Sequence, residues 1–183
     1  MNYYGGKEMA AAFRTVRKNT IQIAEDIPED KYSFKATPDT RSIGELLVHI
    51  ALGTTFGDQV HGANRITDMK TLNFQDFMAK MTAEQAKPRN KAQIIQFLRD
   101  EGEKFASLLE GLTDDVFAER VTMMPGSEPP ARSRFDMLLG AKEHEMHHRG
   151  QLMVLERMVG IKPHLTRQME ERMARMQAQP AAR

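Results

Sequence analysis

The stretch SRFDMLLGAKEHEMHHRGQLMVLERMVG, residues 133–160, predicts one long helix that carries three histidines. Ser133 is suited to cap its N-terminus and Gly160 is suited to end it. His144 and His148 are four residues apart, so their imidazoles project from one face of the helix. Two imidazoles placed in this way can bind one metal ion without any bend in the backbone.

Three more helices are predicted by apolar residues that recur at spacings of three and four. They cover residues 7–27, 42–60 and 91–112. Ser42, with Glu45 three residues later, forms the capping-box pattern that fixes a helix N-terminus. Four long helices joined by segments rich in proline and glycine predict an all-α fold, a four-helix bundle.

The connecting segments carry weaker patterns. Residues 73–80 are expected to form a short helix, and residues 82–88 are expected to form a connection. Residues 120–132 contain three prolines and a glycine, which predicts a loop.

An amphipathic segment after Pro163 predicts an extra C-terminal helix. The methionines on one of its faces favour packing against the bundle or a second subunit over a membrane-surface or nucleic-acid role. Residues 1–176 are therefore expected to form one domain, and residues 177–183 a disordered tail.

Composition limits the classes of function. The 183 residues are 40% hydrophobic and 28% charged, as is usual for a soluble globular protein. A net charge of +1 does not favour a nucleic-acid partner, since such proteins usually carry a basic excess. No stretch predicts a secretory signal or a membrane span, so a cytoplasmic location is expected. The chain has no cysteine, and any metal must therefore be held by nitrogen and oxygen.

His49 is the natural third ligand. It lies in the middle of a predicted helix among apolar residues, and a partly buried imidazole needs a polar partner. Gly53 and Gly140 lie one turn from His49 and His144, where glycine costs helix stability of roughly 1 kcal/mol relative to alanine. They indicate either open space beside a metal or close contact between helices. His61 and His164 are expected on the surface. His147 stays unassigned: it could contact a metal ligand from outside the coordination shell, or lie at a dimer interface.

The run His144-Glu145-Met146-His147-His148 also matches the short H-E-x-x-H pattern of zinc metalloproteases. Glu145 would then be the general base, and Glu170 or Glu171 the third ligand. No β-sheet is predicted before this helix, and the longer metzincin pattern is absent. The protease alternative is therefore disfavoured.

Two segments resemble the DinB/YfiT-like family: HEMHHRGQL at 144–152 and SIGELLVHI at 42–50. The resemblance implies a four-helix bundle of the DinB type, often a homodimer. It also implies a divalent metal, nickel, zinc or similar, held by His49, His144 and His148. Several members of the family are thiol-dependent S-transferases or isomerases that use low-molecular-weight thiols such as mycothiol or bacillithiol.

These observations lead to the hypothesis of a metal-dependent enzyme acting on a small molecule, with a thiol cosubstrate. The alternatives are a metal-dependent hydrolase, with Glu145 as a candidate base, and a bundle that binds a metal or small molecule without turnover. Gln151, one turn beyond His148, is a candidate contact to the bound ligand. Substrate specificity is expected to lie in residues 65–89 and 120–132.

Overall fold

A computed structural model of the chain describes residues 4–62 and 64–178. Four corners of a helical bundle are formed by α1 (Gly6–Asp26), α2 (Ile43–Leu52) continued by α3 (Thr55–His61), α5 (Lys91–Gly111) and α7 (Arg134–Met158). Shorter elements connect and extend them: α4 (Phe74–Gln85), α6 (Asp114–Ala118), β1 (Arg120–Thr122), β2 (Ala131–Ser133) and α8 (His164–Ala178). This confirms the predicted all-α four-helix bundle with an extra C-terminal helix.

The helices α1 and α2 each pack against α5 and α7, and the apolar side chains between them form the core. Phe13, Ile23, Leu47, Leu98 and Leu152 are fully buried there. Burying a side chain of this size contributes roughly 1.5–3 kcal/mol. The core therefore fixes how α2 faces α7, the two helices that carry the predicted metal ligands.

The helix ends predicted at Ser42, Ser133 and Gly160 are confirmed. The Ser42 backbone amide donates to the Glu45 carboxylate at 2.6 Å, and the Glu45 amide donates to the Ser42 hydroxyl at 3.2 Å. At the start of α7, the Asp136 amide donates to the Ser133 hydroxyl at 3.2 Å. Gly160 follows α7 with a φ of +84°, a conformation that favours glycine.

The single helix predicted over residues 42–60 is wrong, because it is interrupted after Leu52. The Gly53 amide donates to two successive carbonyls, those of His49 and Ile50, which tightens the last turn of α2. The Thr54 hydroxyl donates to the carbonyl of Ala51 at 3.2 Å. Such a side-chain bond competes with the helical ladder, and α3 starts afresh at Thr55.

Two connecting segments also differ from the prediction. Residues 82–85, predicted as part of a connection, belong to α4, and the Gln85 carboxamide donates to the Glu45 carbonyl of α2 at 2.8 Å. Residues 120–132, predicted as a loop, contain most of an antiparallel hairpin in which Arg120 pairs with Ser133. Val121 of this hairpin is fully buried in a small apolar cluster with Val60 and Met69.

The C-terminal helix α8 is attached to α1 by an ion pair between Arg167 and Asp26 at 2.7 Å. Its methionines at 169, 173 and 176 are exposed in the chain, so packing of this face against a second subunit stays a prediction. The predicted tail overlaps α8, which includes Gln177 and Ala178, while residues 179–183 lie outside the described part. Within the described residues, no helix is both long and apolar enough to cross a bilayer.

Candidate metal centre

Three imidazoles meet between α2 and α7. Nε2 of His49 lies 3.1 Å from Nε2 of His144 and 3.2 Å from Nε2 of His148. Nitrogen ligands at about 2.0–2.1 Å from a tetrahedral ion stand roughly 3.3 Å apart. The spacing of the three rings therefore fits a single ion of the size of zinc or nickel, and the structure brings together all three predicted ligands.

The protonation state of the three rings suits metal binding. Burial lowers the pKa of His49 and that of His144 to about 4, and it also lowers the pKa of His148. The Arg41 guanidinium and the neighbouring imidazoles lower these pKa values further. At neutral pH all three rings are uncharged and offer lone pairs, which is the form that coordinates a divalent ion.

Gln151 determines how the ring of His148 is presented. Nδ1–H of His148 donates to the Gln151 carboxamide oxygen at 2.8 Å, because a carbonyl oxygen can only accept. The lone pair of His148 is then on Nε2, which faces His49. The amide nitrogen of Gln151 donates to Nε2 of His147 at 3.1 Å. The structure thus places Gln151 and His147 on the side of His148 away from His49, where such groups would orient the ring if it binds a metal.

Gly53 allows the two helices to approach at the centre. A Cβ atom on Gly53 would stand 2.7 Å from Nδ1 of His144, closer than real contacts allow. Of the two explanations offered by the sequence, close helix contact applies here. Gly140 differs, since apart from its own helix backbone and chain neighbours no described atom lies within 4 Å of the position its Cβ would take.

Glu145 lies on the other side of α7, away from the three rings. Only 1% of the residue is exposed, and Nε of Arg17 in α1 donates to both carboxylate oxygens at 3.0 Å. The Thr20 hydroxyl donates to the same carboxylate at 2.7 Å. The three imidazoles and Glu145 are therefore separate groups, and Glu145 ties α7 to α1.

A cavity of about 940 Å³ opens beside His148. Its lining includes Gln151 and residues 82 and 85–86, which fall within the predicted specificity segment 65–89. Residues 35–36 and 39–41 form another side, and no local sequence pattern pointed to them. The other predicted specificity segment, 120–132, contributes no lining residue among those described.

Residues 12–152 match the sequence model of the DinB superfamily. The chain belongs to the DinB superfamily. Among curated proteins, it is 28% identical over 154 residues to YjoA of Bacillus subtilis, an uncharacterized protein, covering 84% of this chain and 90% of the relative. The family match over residues 12–152 includes both histidine segments, residues 42–50 and 144–152.

Solved structures of DinB-like proteins share the fold. The crystal structure of YjoA from Bacillus subtilis superposes with a TM-score of 0.62 at 24% identity, covering 84% of this chain and 92% of that one. A DinB-like protein from Bacillus cereus gives 0.62 at 17% identity, covering 85% and 93%. YfiT from Bacillus subtilis gives 0.65 at 12% identity, covering 88% and 91%, and is described as a probable metal-dependent hydrolase with an unusual four-helix bundle topology.

Two other histidines of this DinB protein are buried, contrary to the prediction that they lie on the surface. His61 ends α3 against α7, and its Nδ1 accepts a hydrogen bond from the buried Arg134 guanidinium at 3.0 Å. His164 begins α8 against α1, and its Nε2 donates to the Asn19 side chain at 3.2 Å. Both positions are set by packing between distant segments, so neither burial was visible in local sequence.

Neither residue considered as the third ligand in the protease alternative, Glu170 or Glu171, lies at the three-histidine centre. Glu170 pairs with Lys162 at 2.9 Å, and Glu171 lies 3.5 Å from Arg175 on the exposed helix α8. Within the described residues, the only group of side chains spaced to hold a metal consists of the three histidines.

Proposed function

We propose that this DinB protein is a metal-dependent enzyme that transfers a low-molecular-weight thiol to a small electrophile. The observation that carries the proposal is the convergence of three neutral imidazoles, with Nε2 of His49 within 3.1–3.2 Å of the other two, beside a cavity large enough for a small molecule. Three nitrogen ligands are typical of a catalytic site, whereas structural sites usually provide four protein ligands.

The donor set supports nickel or zinc, because neutral imidazole suits both ions and thiolate ligands are absent from the chain. A divalent ion held in this way supplies open coordination positions and lowers the pKa of a water or thiol that occupies one of them. His49, His144 and His148 hold the ion, while Gln151 keeps the His148 lone pair directed at it.

The position of Glu145, the base suggested by the sequence, favours a thiol as the nucleophile. A free thiol has a pKa of about 8.5, so a modest shift makes it a thiolate at neutral pH. Bulk water, at about 15.7, needs a much larger shift and usually a base to accept its proton. Glu145 is buried in contacts with Arg17 and Thr20 and is not available as that base. Because the chain has no cysteine, the thiol must come from a cosubstrate.

A metal-dependent hydrolase is the second candidate. It is favoured by the description of YfiT, which shares the fold at 12% identity. In that case water takes the place of the thiol in the same cavity, and the same three histidines hold the ion.

An activity panel separates these functions. Protein loaded with zinc or nickel is incubated with 2-mercaptoethanol or cysteine and 1-chloro-2,4-dinitrobenzene, and separately with 4-nitrophenyl acetate without thiol. We expect metal-dependent thiol transfer that is lost in His49→Ala and retained in His147→Ala. Ester hydrolysis without thiol transfer would instead identify a hydrolase. Bound metal with neither activity would identify a binding protein.

A further inference from the structure

We propose that Arg41 binds an anionic group of the reactants, so that the three-histidine centre acts on a small molecule that joins a carboxylate or similar oxyanion to an apolar portion. The proposal rests on the proposed function, since it concerns the cavity beside the same centre. It assigns a substrate class that the metal ligands alone do not define.

Arg41 is a cation that lines the cavity. It lies just before α2 and lines the same cavity as His148. Its side chain is exposed, and in the part of the chain that the structure describes it takes part in no hydrogen bond or ion pair. An unpaired guanidinium presents a planar set of donors that matches a carboxylate in two places at once.

The other charged groups of the cavity already have partners. Lys35 pairs with Glu45 at 3.1 Å, and Glu45 also accepts the backbone amide of Ser42. The Asp39 carboxylate accepts the Thr37 hydroxyl at 2.6 Å. Of the two cations that line this cavity, Lys35 is in an ion pair, and Arg41 has no ion-pair partner among the described residues.

Arg41 and His148 lie at the same cavity. Both residues line it, and Arg41 directly precedes Ser42, the residue that caps the helix carrying His49. An anion bound to Arg41 would therefore share this cavity with the three-histidine centre, as a substrate group must if the rest of the molecule is to react there.

The wall opposite the charged loop is apolar. Val154 and Met158, one turn apart on α7, are 56% and 51% exposed and line the cavity with Leu155. Exposed apolar side chains beside a reactive centre are typical of a surface that a ligand covers. The cavity therefore fits a molecule with an acidic end at Arg41 and an apolar part against α7.

The test uses cobalt-substituted protein and three thiols of similar length: 3-mercaptopropionate, 2-mercaptoethanol and cysteamine. Binding is followed through the charge-transfer absorption of sulfur bonded to cobalt. We expect 3-mercaptopropionate to bind roughly tenfold to a hundredfold more tightly than the neutral thiol, with cysteamine the weakest, as for a charge-assisted hydrogen bond. Arg41→Gln should remove this preference. Arg172→Gln, at another exposed arginine outside the cavity, should keep it.

A second arm locates the anion. Hexanoate, hexanol and hexylamine are titrated calorimetrically into the metal-free protein and into the cobalt protein with 2-mercaptoethanol. An Arg41-dependent preference for hexanoate means that the electrophile carries the anion, whereas a preference seen only among the thiols assigns it to the cosubstrate. Either of these two results supports the proposal.

Equal affinities across both series, or a preference that survives in Arg41→Gln, would overturn the assignment of Arg41. Failure of the proposed function looks different, because the cobalt protein would then show no sulfur absorption with any thiol. In that case the calorimetric arm on the metal-free chain still decides the role of Arg41.

Discussion

The imidazole of His144 occupies the space that a side chain on Gly53 would need. A Cβ atom there would lie 2.7 Å from Nδ1 and 2.9 Å from Cε1 of the ring. The glycine at the end of α2 is thus part of the candidate metal centre, although it offers no ligand atom. It lets α2 come close enough for His49 to meet the two rings on α7.

Gly53→Ala should displace the ring of His144 and weaken metal binding. We expect a loss of roughly tenfold to a hundredfold in affinity, the range found when groups that orient metal ligands are changed. Competition with a chelating indicator measures it. Gly140→Ala is the matched control: its Cβ would meet no other described part of the structure, so metal affinity should be unchanged and the helix about 1 kcal/mol more stable. Wild-type affinity in Gly53→Ala would contradict this account.

Gln151→Leu should weaken metal binding by a similar factor, because Nδ1–H of His148 loses its acceptor and the ring loses its fixed orientation. Gln151→Glu keeps an acceptor at the same distance and should retain most of the affinity. His147→Ala removes the contact on the far side of Gln151 and an edge-on ring contact with His148 at 4.9 Å, and a smaller effect is expected because neither orients Nδ1–H of His148. If Gln151→Leu and Gln151→Glu bind metal equally well, Gln151 does not orient the ligand.

Glu145→Ala should destabilise the fold by about 3–5 kcal/mol, since it leaves the buried Arg17 guanidinium without its ion-pair partner. Urea unfolding measures the change. Glu103→Ala, which removes an exposed partner of Arg14, should cost less than about 1 kcal/mol. A Glu145→Gln variant that keeps its stability but loses activity, with an altered pH profile, would instead return Glu145 to the role of general base.

Glu156 should make stability fall as the pH rises towards 7. Its carboxylate is fully buried and has no hydrogen-bond partner among the described residues, and burial raises its pKa to about 7 from 4.5. Between these values the folded state binds more protons than the unfolded state, so the penalty is absent below pH 4.5 and complete above pH 7. For the full rise in the pKa of Glu156, from 4.5 to about 7, this penalty on the free energy of unfolding is about 3 kcal/mol.

Glu156→Gln removes the titrating group, so its stability relative to the wild type should improve from pH 4.5 to pH 8. Urea unfolding across this range provides the comparison. Glu170→Gln, at an exposed carboxylate paired with Lys162, should follow the wild-type profile. Parallel profiles for Glu156→Gln and the wild type would show that Glu156 titrates normally.

Local patterns predicted the helical bundle and pointed to the three histidines that the structure brings together. The capping box at Ser42 and Glu45 and the four-residue spacing of His144 and His148 act within one or two turns of a helix, so sequence alone reveals them. His49 was identified because an imidazole among apolar residues needs a partner. That partner proved to be the pair on α7.

Features that depend on distant packing were missed. The strand around Val121 has three residues, too few for a periodic pattern, and it exists because Val121 fills a cluster with Val60 and Met69. The burial of His61 depends on Arg134, 73 residues later in the chain. The placement of Arg41 beside the cavity likewise follows from the way α2 and α7 pack, and no local signal marks it.

Elemental analysis of untagged protein tests the central claim most directly, applied to the wild type and to His49→Ala, with His147→Ala as the control. We predict one divalent ion per chain in the wild type and in His147→Ala, and none in His49→Ala, because two imidazoles on α7 cannot hold the ion alone. Wild-type protein that binds no metal even after incubation with zinc or nickel would contradict the account, as would His49→Ala that retains a full equivalent.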